Sequence, residues 1–244
     1  MAIKKRPVSP RQKMINLMYV VLMAMLALNV STEVLNGFSI VEESIGRTAA
    51  NAAKENQVIY DDFEAQLKAN PAKVKAWFDK AQRVKSMSDS LYNLAEELKL
   101  AIVKEADGED GDVKNIEAKD NLEAANQIML APGRGRGGEL FKAINSFRSR
   151  ILAMIDDNAQ KQIISSNLST TLPANAVTMG KNWQEYMFED MPVAGAITLL
   201  TKLQSDVRYA EGEVLHTLVS NIDLKDIRVN SLNAFVIPNS QTIV

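Results

Sequence analysis

An apolar stretch near the N-terminus constrains this chain more than any other feature of its sequence. Nearly every residue from Met14 to Val30 is apolar. Ser9 can cap a helix there, and Pro10 suits its first position because no backbone donor is needed. A helix from Pro10 to Val30 would be about 30 Å long, which matches the hydrocarbon core of a bilayer. The stretch predicts one transmembrane helix over residues 9–32.

The distribution of charge predicts how that helix is oriented. Of 28 lysines and arginines, five lie in residues 1–13, where no acidic residue occurs, which leaves 23 basic against 30 acidic residues in the rest. Cations that flank a membrane helix favour the cytoplasmic side, so residues 1–8 are expected to form a cytoplasmic tail and the body to be exported. A secretory signal peptide is an alternative explanation, although the apolar run is longer than usual for one. The acidic body argues against a nucleic-acid partner.

Apolar periodicity predicts that residues 33–223 form a helical domain. Steps of three and four run from Val74 to Ile102 and again from Ile197 to Leu218, as expected for core-facing helices. Asn70 and Pro71 together predict a helix start. Asn36 and Gly37 predict an interruption, and hence a hinge between the membrane helix and the exported body.

Two segments depart from the helical pattern. Residues 158–191 are mixed in composition and predict irregular structure or a short hairpin. Residues 224–244 predict a linker and strands at 227–229 and 234–237. Because a lone strand has nothing to pair with, the first strand of a truncated β domain is expected there.

Several classes of site are excluded by residue type. The chain has no cysteine and only one histidine, His216, so disulfides, thiolate metal sites and histidine pairs are absent. Asp107–Asp112 superficially resembles a calcium loop, but Ala118 stands where the bidentate glutamate belongs. The glycine- and arginine-rich segment 133–138 lacks the Gly-Lys-Ser/Thr ending of a phosphate-binding loop and predicts a mobile loop. We therefore expect no metal, no cofactor and no enzymatic activity.

The membrane helix is expected to contact other helices. Steps of three and four from its first turn join six residues on one stripe: Arg11, Ile15, Met18, Leu22, Met25 and Asn29. Asn16 and Tyr19 lie on other faces. Polar side chains in a bilayer usually face protein or water, and amides can hydrogen-bond between helices.

Arg11 can be explained in two ways from the residues alone. It lies in the first helical turn, where the helix dipole is positive, so a carboxylate on a neighbouring helix would stabilise it. It would equally serve as one more cationic anchor that reaches the lipid headgroups.

Residues 9–38 resemble the N-terminus of the GldM/PorM family in the segments S-P-R-Q-K-M-I-N-L-M-Y and A-L-N-V-S-T-E-V-L-N-G-F. The family comprises periplasm-spanning motor subunits of gliding motility and type 9 secretion. The segment S-L-N-A-F-V-I-P at 231–238 is similar to the entry into the family's first β domain.

The resemblance implies a single-pass inner-membrane protein with its N-terminus in the cytoplasm and its bulk in the periplasm. It also implies a homodimer whose membrane helices lie inside a pentameric ring of a GldL/PorL-type partner, driven by proton flow. Arg11 matches the arginine that pairs with a ring glutamate in the family. Distal secretion components would be reached through C-terminal domains. A membrane-anchored periplasmic sensor, whose helical bundle binds a ligand, is the alternative function.

Overall fold

The computed structural model describes residues 9–28 and 32–229, with side-chain detail over 9–23 and 32–222. These residues are mostly helical and contain no strand, only an isolated bridge between Asp112 and Asn115. The helices are α1 (Pro10–Leu28), α2 (Thr32–Ala69), α3 (Pro71–Asp107), α4 (Glu123–Met129), α5 (Gly137–Leu152), α6 (Asn158–Asn167), α7 (Ala174–Thr178), α8 (Trp183–Phe188) and α9 (Val193–Val229). The prediction of a helical body is confirmed for these residues.

Two predicted helix starts are confirmed. Pro10 is the first residue of α1, and Ser9 Oγ accepts a hydrogen bond from the backbone N–H of Gln12 at 3.3 Å. Pro71 likewise begins α3 directly after Asn70. Of the transmembrane helix expected over residues 9–32, Pro10–Leu28 is helical. Within the described residues, no helix is both long and apolar enough to cross a membrane.

The interruption expected at Asn36 and Gly37 is wrong, because α2 continues through both residues. A glycine in a helix interior costs only about 1 kcal/mol relative to alanine. Leu35 is buried next to this pair, and Ser39 Oγ donates to the Leu35 carbonyl oxygen at 3.3 Å. Packing and hydrogen bonding around Leu35 therefore outweigh the local preference for a break.

Residues 158–191 contain three short helices, so the expected irregular structure or hairpin is also wrong. Asp157 caps α6 by accepting from the Ala159 N–H at 2.9 Å. Asn182 and Glu185 form a reciprocal capping box at the start of α8. These caps satisfy the free N–H groups that would otherwise make such short helices costly.

The strand expected at 227–229 is wrong as well, because α9 extends to Val229. β-branched residues lower helix propensity by less than about 1 kcal/mol each, which a continuing helix tolerates. The strand expected at 234–237, and the remainder of the expected β domain beyond 229, lie outside the described residues.

The described chain divides into two compact units. The first unit takes the described residues up to 46 together with 96–139 and 172–202. Within it, α4 packs on α8, and the rings of Trp183 and Phe188 meet edge to face at 6.2 Å. Backbone N–H groups of Val193 and Ala194 donate to the loop before α4, which satisfies donors at the start of α9.

The second unit takes residues 47–95, 140–171 and the described residues from 203 onward. Its apolar core includes Phe63, Leu91, Ile151, Ile164 and Val214, each at most 3% exposed. The α3 and α9 stripes predicted from the sequence are largely buried. The α9 stripe includes two polar members, Gln204 and Glu211, each 1% exposed.

Candidate functional site

The first candidate surface is α1, whose apolar side chains are uncovered. Every described side chain of α1 is exposed. The large apolar ones are between 46% and 70% exposed: Met14, Ile15, Leu17, Met18, Tyr19, Val20, Val21, Leu22 and Met23. A helix that is apolar all round is stable only where something apolar covers it. This uncovered apolar surface is therefore the first candidate contact surface of the chain.

The structure describes most of the residues that the sequence singled out on the expected membrane helix, which lie on α1. Arg11, Ile15, Met18 and Leu22 follow steps of three and four along α1, so they share one face. Asn16 and Tyr19 are exposed on other faces. The backbone of Met25 belongs to α1, but its side chain, like all of Asn29, lies outside the described residues. Asn36 and Gly37 lie inside α2.

A chain of polar contacts joins three helices within the first unit. Lys99 of α3 is 6% exposed, and its ammonium lies 2.8 Å from Glu96 Oε2. It also donates to Thr201 Oγ1 of α9 at 3.5 Å. Thr201 in turn donates to Glu42 Oε1 of α2 at 2.9 Å. These directional contacts link the three helices in this unit.

A second buried polar cluster lies within the second unit, around Glu211 of α9. Its carboxylate accepts hydrogen bonds from Tyr60 Oη of α2 and from Arg208 Nη1, both at 2.8 Å. Arg208 Nη2 lies 2.9 Å from Asp89 Oδ1 of α3. The same guanidinium lies over the Tyr92 ring, 4.6 Å from its centre. Glu211 and Arg208 thus link α9 to Tyr60 of α2 and to Asp89 of α3, whose carboxylate is 41% exposed.

Burial and charge shift the pKa values of this cluster. Burial raises the pKa of the Tyr60 phenol, and the neighbouring Glu211 carboxylate raises it further. Burial alone would lower the pKa of Arg208, but hydrogen bonds and charges from Glu211 and Asp89 outweigh it and raise that pKa. Tyr60 therefore remains a hydrogen-bond donor and Arg208 remains a cation, so both contacts of Glu211 are maintained.

The raised pKa of Tyr60 predicts a loss of stability in alkali. In the unfolded chain the phenol loses its proton near pH 10, whereas in the folded chain it keeps it above that pH. The contribution of the protonated Tyr60 phenol to the free energy of unfolding is thus complete below about pH 10 and is lost as the pH rises further. We expect the difference in free energy of unfolding between the wild type and Tyr60→Phe to narrow between about pH 9 and 11. A difference that stays constant over this range would contradict the prediction.

Gly212 allows close approach of the Asn56 side chain in the same cluster. Asn56 Nδ2 donates to the carbonyl oxygen of Arg208 at 2.9 Å, and a Cβ at Gly212 would lie 2.7 Å from Asn56 Oδ1. Asn56 is 5% exposed, so it could move only by giving up that hydrogen bond. The glycine is therefore required by the packing of α2 against α9.

Gly212→Ala is expected to destabilise the chain by about 1–3 kcal/mol, because the clash or the lost hydrogen bond outweighs the gain in helix propensity. Gly37→Ala is the matched control, since nothing lies within 4 Å of its Cβ position in α2. That control is expected to stabilise by up to about 1 kcal/mol. Thermal unfolding of the two variants measures both effects. Equal stabilisation by both would contradict the proposed close approach.

The glycine- and arginine-rich segment, expected from its composition to be a mobile loop, forms a turn held by hydrogen bonds and ion pairs. The backbone N–H of Arg136 donates to the Ile128 carbonyl oxygen at 2.9 Å, and its guanidinium pairs with Glu97 and Glu139 at 3.2 and 2.8 Å. Its hydrogen bond with Glu139 is the main cause of a raised Arg136 pKa. A Cβ at Gly135 would lie 2.7 Å from the Met129 carbonyl oxygen, so the glycine has a steric role.

Sequence reasoning did not identify Tyr60, Asp89 or Arg208 as members of a cluster. The available signal was the presence of Gln204 and Glu211 on the otherwise apolar α9 stripe, because a carboxylate at a core position requires a buried partner. Among the described residues, no group of His, Cys, Asp or Glu is arranged to hold a metal ion.

Comparison with known families gives one assignment. Residues 33–221 match the family model described as the GldM N-terminal domain. The match includes most of both units, whereas α1 lies before it. No curated protein matches the chain.

Proposed function

The chain belongs to the GldM family through an N-terminal domain at residues 33–221, and we propose that it is a subunit of an inner-membrane motor. Membership associates the chain with gliding motility and type 9 secretion. In the proposed arrangement, residues 9–32 of two copies form the axle inside a pentameric GldL/PorL-type ring. Proton flow through the ring turns or rearranges the axle. The helical domain passes that motion to distal components in the periplasm.

The exposed apolar surface of α1 is the observation that supports this proposal most strongly. Side chains from Met14 to Met23 are exposed without exception. At roughly 25 cal/mol per Å², leaving nine large apolar side chains in water costs many kcal/mol. Insertion into a bilayer, within a ring of partner helices, removes that cost. The amide of Asn16 and the phenol hydroxyl of Tyr19 then meet partner helices instead of lipid.

Arg11 is assigned the coupling role in this proposal. It is exposed in the first turn of α1, where the helix dipole is positive. A carboxylate of the ring would offset this unfavourable position and the cost of removing the guanidinium from water. Protonation of that carboxylate would break the ion pair, so the pairing would follow proton flow.

The buried polar contacts support the transmission part of the proposal. In the first unit Lys99, Thr201 and Glu42 connect α3, α9 and α2, and in the second unit Glu211 connects the same helices through Tyr60, Arg208 and Asp89. Close-packed apolar side chains resist sliding, and directional polar contacts add to that resistance. A directional buried bond is lost after a shift of about 1.5 Å, the rise per residue. Each unit can therefore carry an axial load through its helices.

The membrane assignment predicts that the mature chain keeps its N-terminus. Mass spectrometry of the purified protein is expected to find a peptide that contains Arg11, and the chain is expected to stay in the membrane fraction after an alkaline carbonate wash. A variant in which a cleavable secretory signal peptide replaces residues 1–31 should appear in the soluble periplasmic fraction. A mature chain that begins after the apolar stretch would instead indicate a cleaved signal peptide, and the axle proposal would be wrong.

A further inference from the structure

A groove in the second unit carries aromatic, sulfur-containing and cationic side chains together. It has a volume of about 780 Å³ and is lined by residues of α3, of α9 and of the end of α5 with the turn that follows. Its apolar lining includes Trp77, Met87, Met154 and Leu218. A space of this size accepts a drug-sized ligand or several side chains of a partner.

The charge of the groove is opposite to that of the rest of the body. Lys80, Arg83 and Arg150 line it against a single carboxylate, Asp156. After residue 13 the chain has 23 basic and 30 acidic residues, so a local excess of cations is a distinct feature. Lys80 Nζ lies 4.5 Å from the centre of the Trp77 ring, which places positive charge directly beside the apolar lining.

This combination of side chains is typical of protein interfaces. Tryptophan, methionine and arginine are enriched at interface cores, and tryptophan and arginine are the most frequent sources of binding energy. Methionine adapts its shape to a bound helix. An amphipathic helix that lies in such a groove buries its apolar stripe and places its flanking residues beside the cations.

We propose that this groove binds an acidic amphipathic segment of a partner protein. The apolar side chains of the bound segment lie against Trp77, Met87 and Leu218. The carboxylates of the segment pair with Arg83 and Arg150. Both arginines are exposed, so each ion pair is expected to strengthen binding by at most about fivefold. The cations therefore select the charge of the partner and speed its association, while the apolar lining supplies most of the affinity.

The test uses two synthetic peptides of the same helical design and the full chain in detergent. Both peptides carry leucines at positions i, i+3, i+4 and i+7, with flanking glutamates in one and lysines in the other. Fluorescence anisotropy of the labelled peptides is expected to give at least tenfold tighter binding of the glutamate peptide. Its affinity should fall as salt is raised. The charge reversal Arg83→Glu with Arg150→Glu should remove the preference for the glutamate peptide. Trp77→Ala should weaken the binding of both peptides.

The matched control reverses two cations on the same helices outside the groove. Lys75 of α3 and Lys142 of α5 are exposed and do not line it, so Lys75→Glu with Lys142→Glu should leave the peptide preference intact. Equal affinity for the two peptides, or equal loss in both double variants, would overturn the proposal. So would a change of oligomeric state in the groove variant, since a second copy would then occupy this surface. Competition by sulfate as strong as by the glutamate peptide would indicate a small-anion site instead.

The groove proposal does not depend on the motor proposal. Arg11→Glu is expected to leave peptide binding unchanged, because Arg11 lies outside the second unit. Loss of motor function and loss of peptide binding would therefore be observed in different variants.

Discussion

Replacing Arg11 by alanine is expected to stop gliding and type 9 secretion in cells whose motor complex still assembles. The proposed ion pair couples α1 to a ring carboxylate, and alanine leaves that carboxylate without its cation. Two opposite charges at 4 Å in a partly buried site interact by about 4 kcal/mol, which corresponds to roughly a thousandfold change in an equilibrium. We expect gliding speed and the amount of secreted cargo to fall at least tenfold.

Three further variants separate charge from the other properties of Arg11. Arg11→Glu places two negative charges together and is expected to be at least as severe as Arg11→Ala. Arg11→Lys keeps the charge but loses the bidentate geometry of the guanidinium, so partial function is expected. Lys13→Glu is the control, since Lys13 is exposed in the same turn and points about 200° away around the helix.

Assembly must be checked in the same cells by co-purification of the ring partner with the chain. Normal gliding speed in an assembled Arg11→Ala complex would show that no ion pair couples this residue to proton flow. If Lys13→Glu reduced gliding and secretion as much as Arg11→Ala, cations before the apolar stretch would be required in general. This is the anchoring role that the sequence also allows for Arg11.

Replacing Glu211 by alanine is expected to give the largest loss of stability. Glu211 is 1% exposed and is the common acceptor for Tyr60 and Arg208. Its removal leaves the Arg208 side chain, itself only 15% exposed, without one of its two carboxylates. Breaking a buried ion pair from one side typically costs about 3–5 kcal/mol. The midpoint of thermal unfolding should fall by on the order of 10 °C.

Two comparisons test whether that loss comes from the buried charge. Glu64→Ala removes an exposed carboxylate from α2 in the same unit, and a change within about 0.5 kcal/mol is expected. Combining Glu211→Leu with Arg208→Met removes both charges, and this double variant should be more stable than the sum of its single losses predicts. A Glu211→Ala chain as stable as Glu64→Ala would show that the cluster contributes nothing to stability.

The helices themselves were predictable because their signals are local. Asn70 and Pro71 mark the start of α3, Ser9 and Pro10 that of α1, and the buried stripes of α3 and α9 follow a period that the sequence displays directly. The failures have a common cause. At Gly37 and at 227–229 the residue types indicated a break or a strand, but single unfavourable residues cost less than a long, well-packed helix supplies.

The candidate surfaces also differ in whether the sequence could predict them. The order of residues alone identified the apolar stretch and its flanking cations and predicted a membrane helix, whereas the pairing of Arg11 with a ring carboxylate came from the family resemblance. The buried cluster and the cationic groove could not be derived from local pattern. Tyr60 and Glu211 are 151 positions apart in the chain, and the groove is built from three separate segments.

The sequence by itself thus determined where α1 and α3 begin and which stretch is apolar, because helix caps and apolar periodicity involve residues a few positions apart. Only the tertiary structure decided which polar side chains meet, as for Glu211 with Tyr60 and for Arg208 with Asp89. Those pairs depend on the axial alignment of α2, α3 and α9 within a unit. That alignment is set by the packing of side chains far apart in sequence, and periodicity carries no information about it.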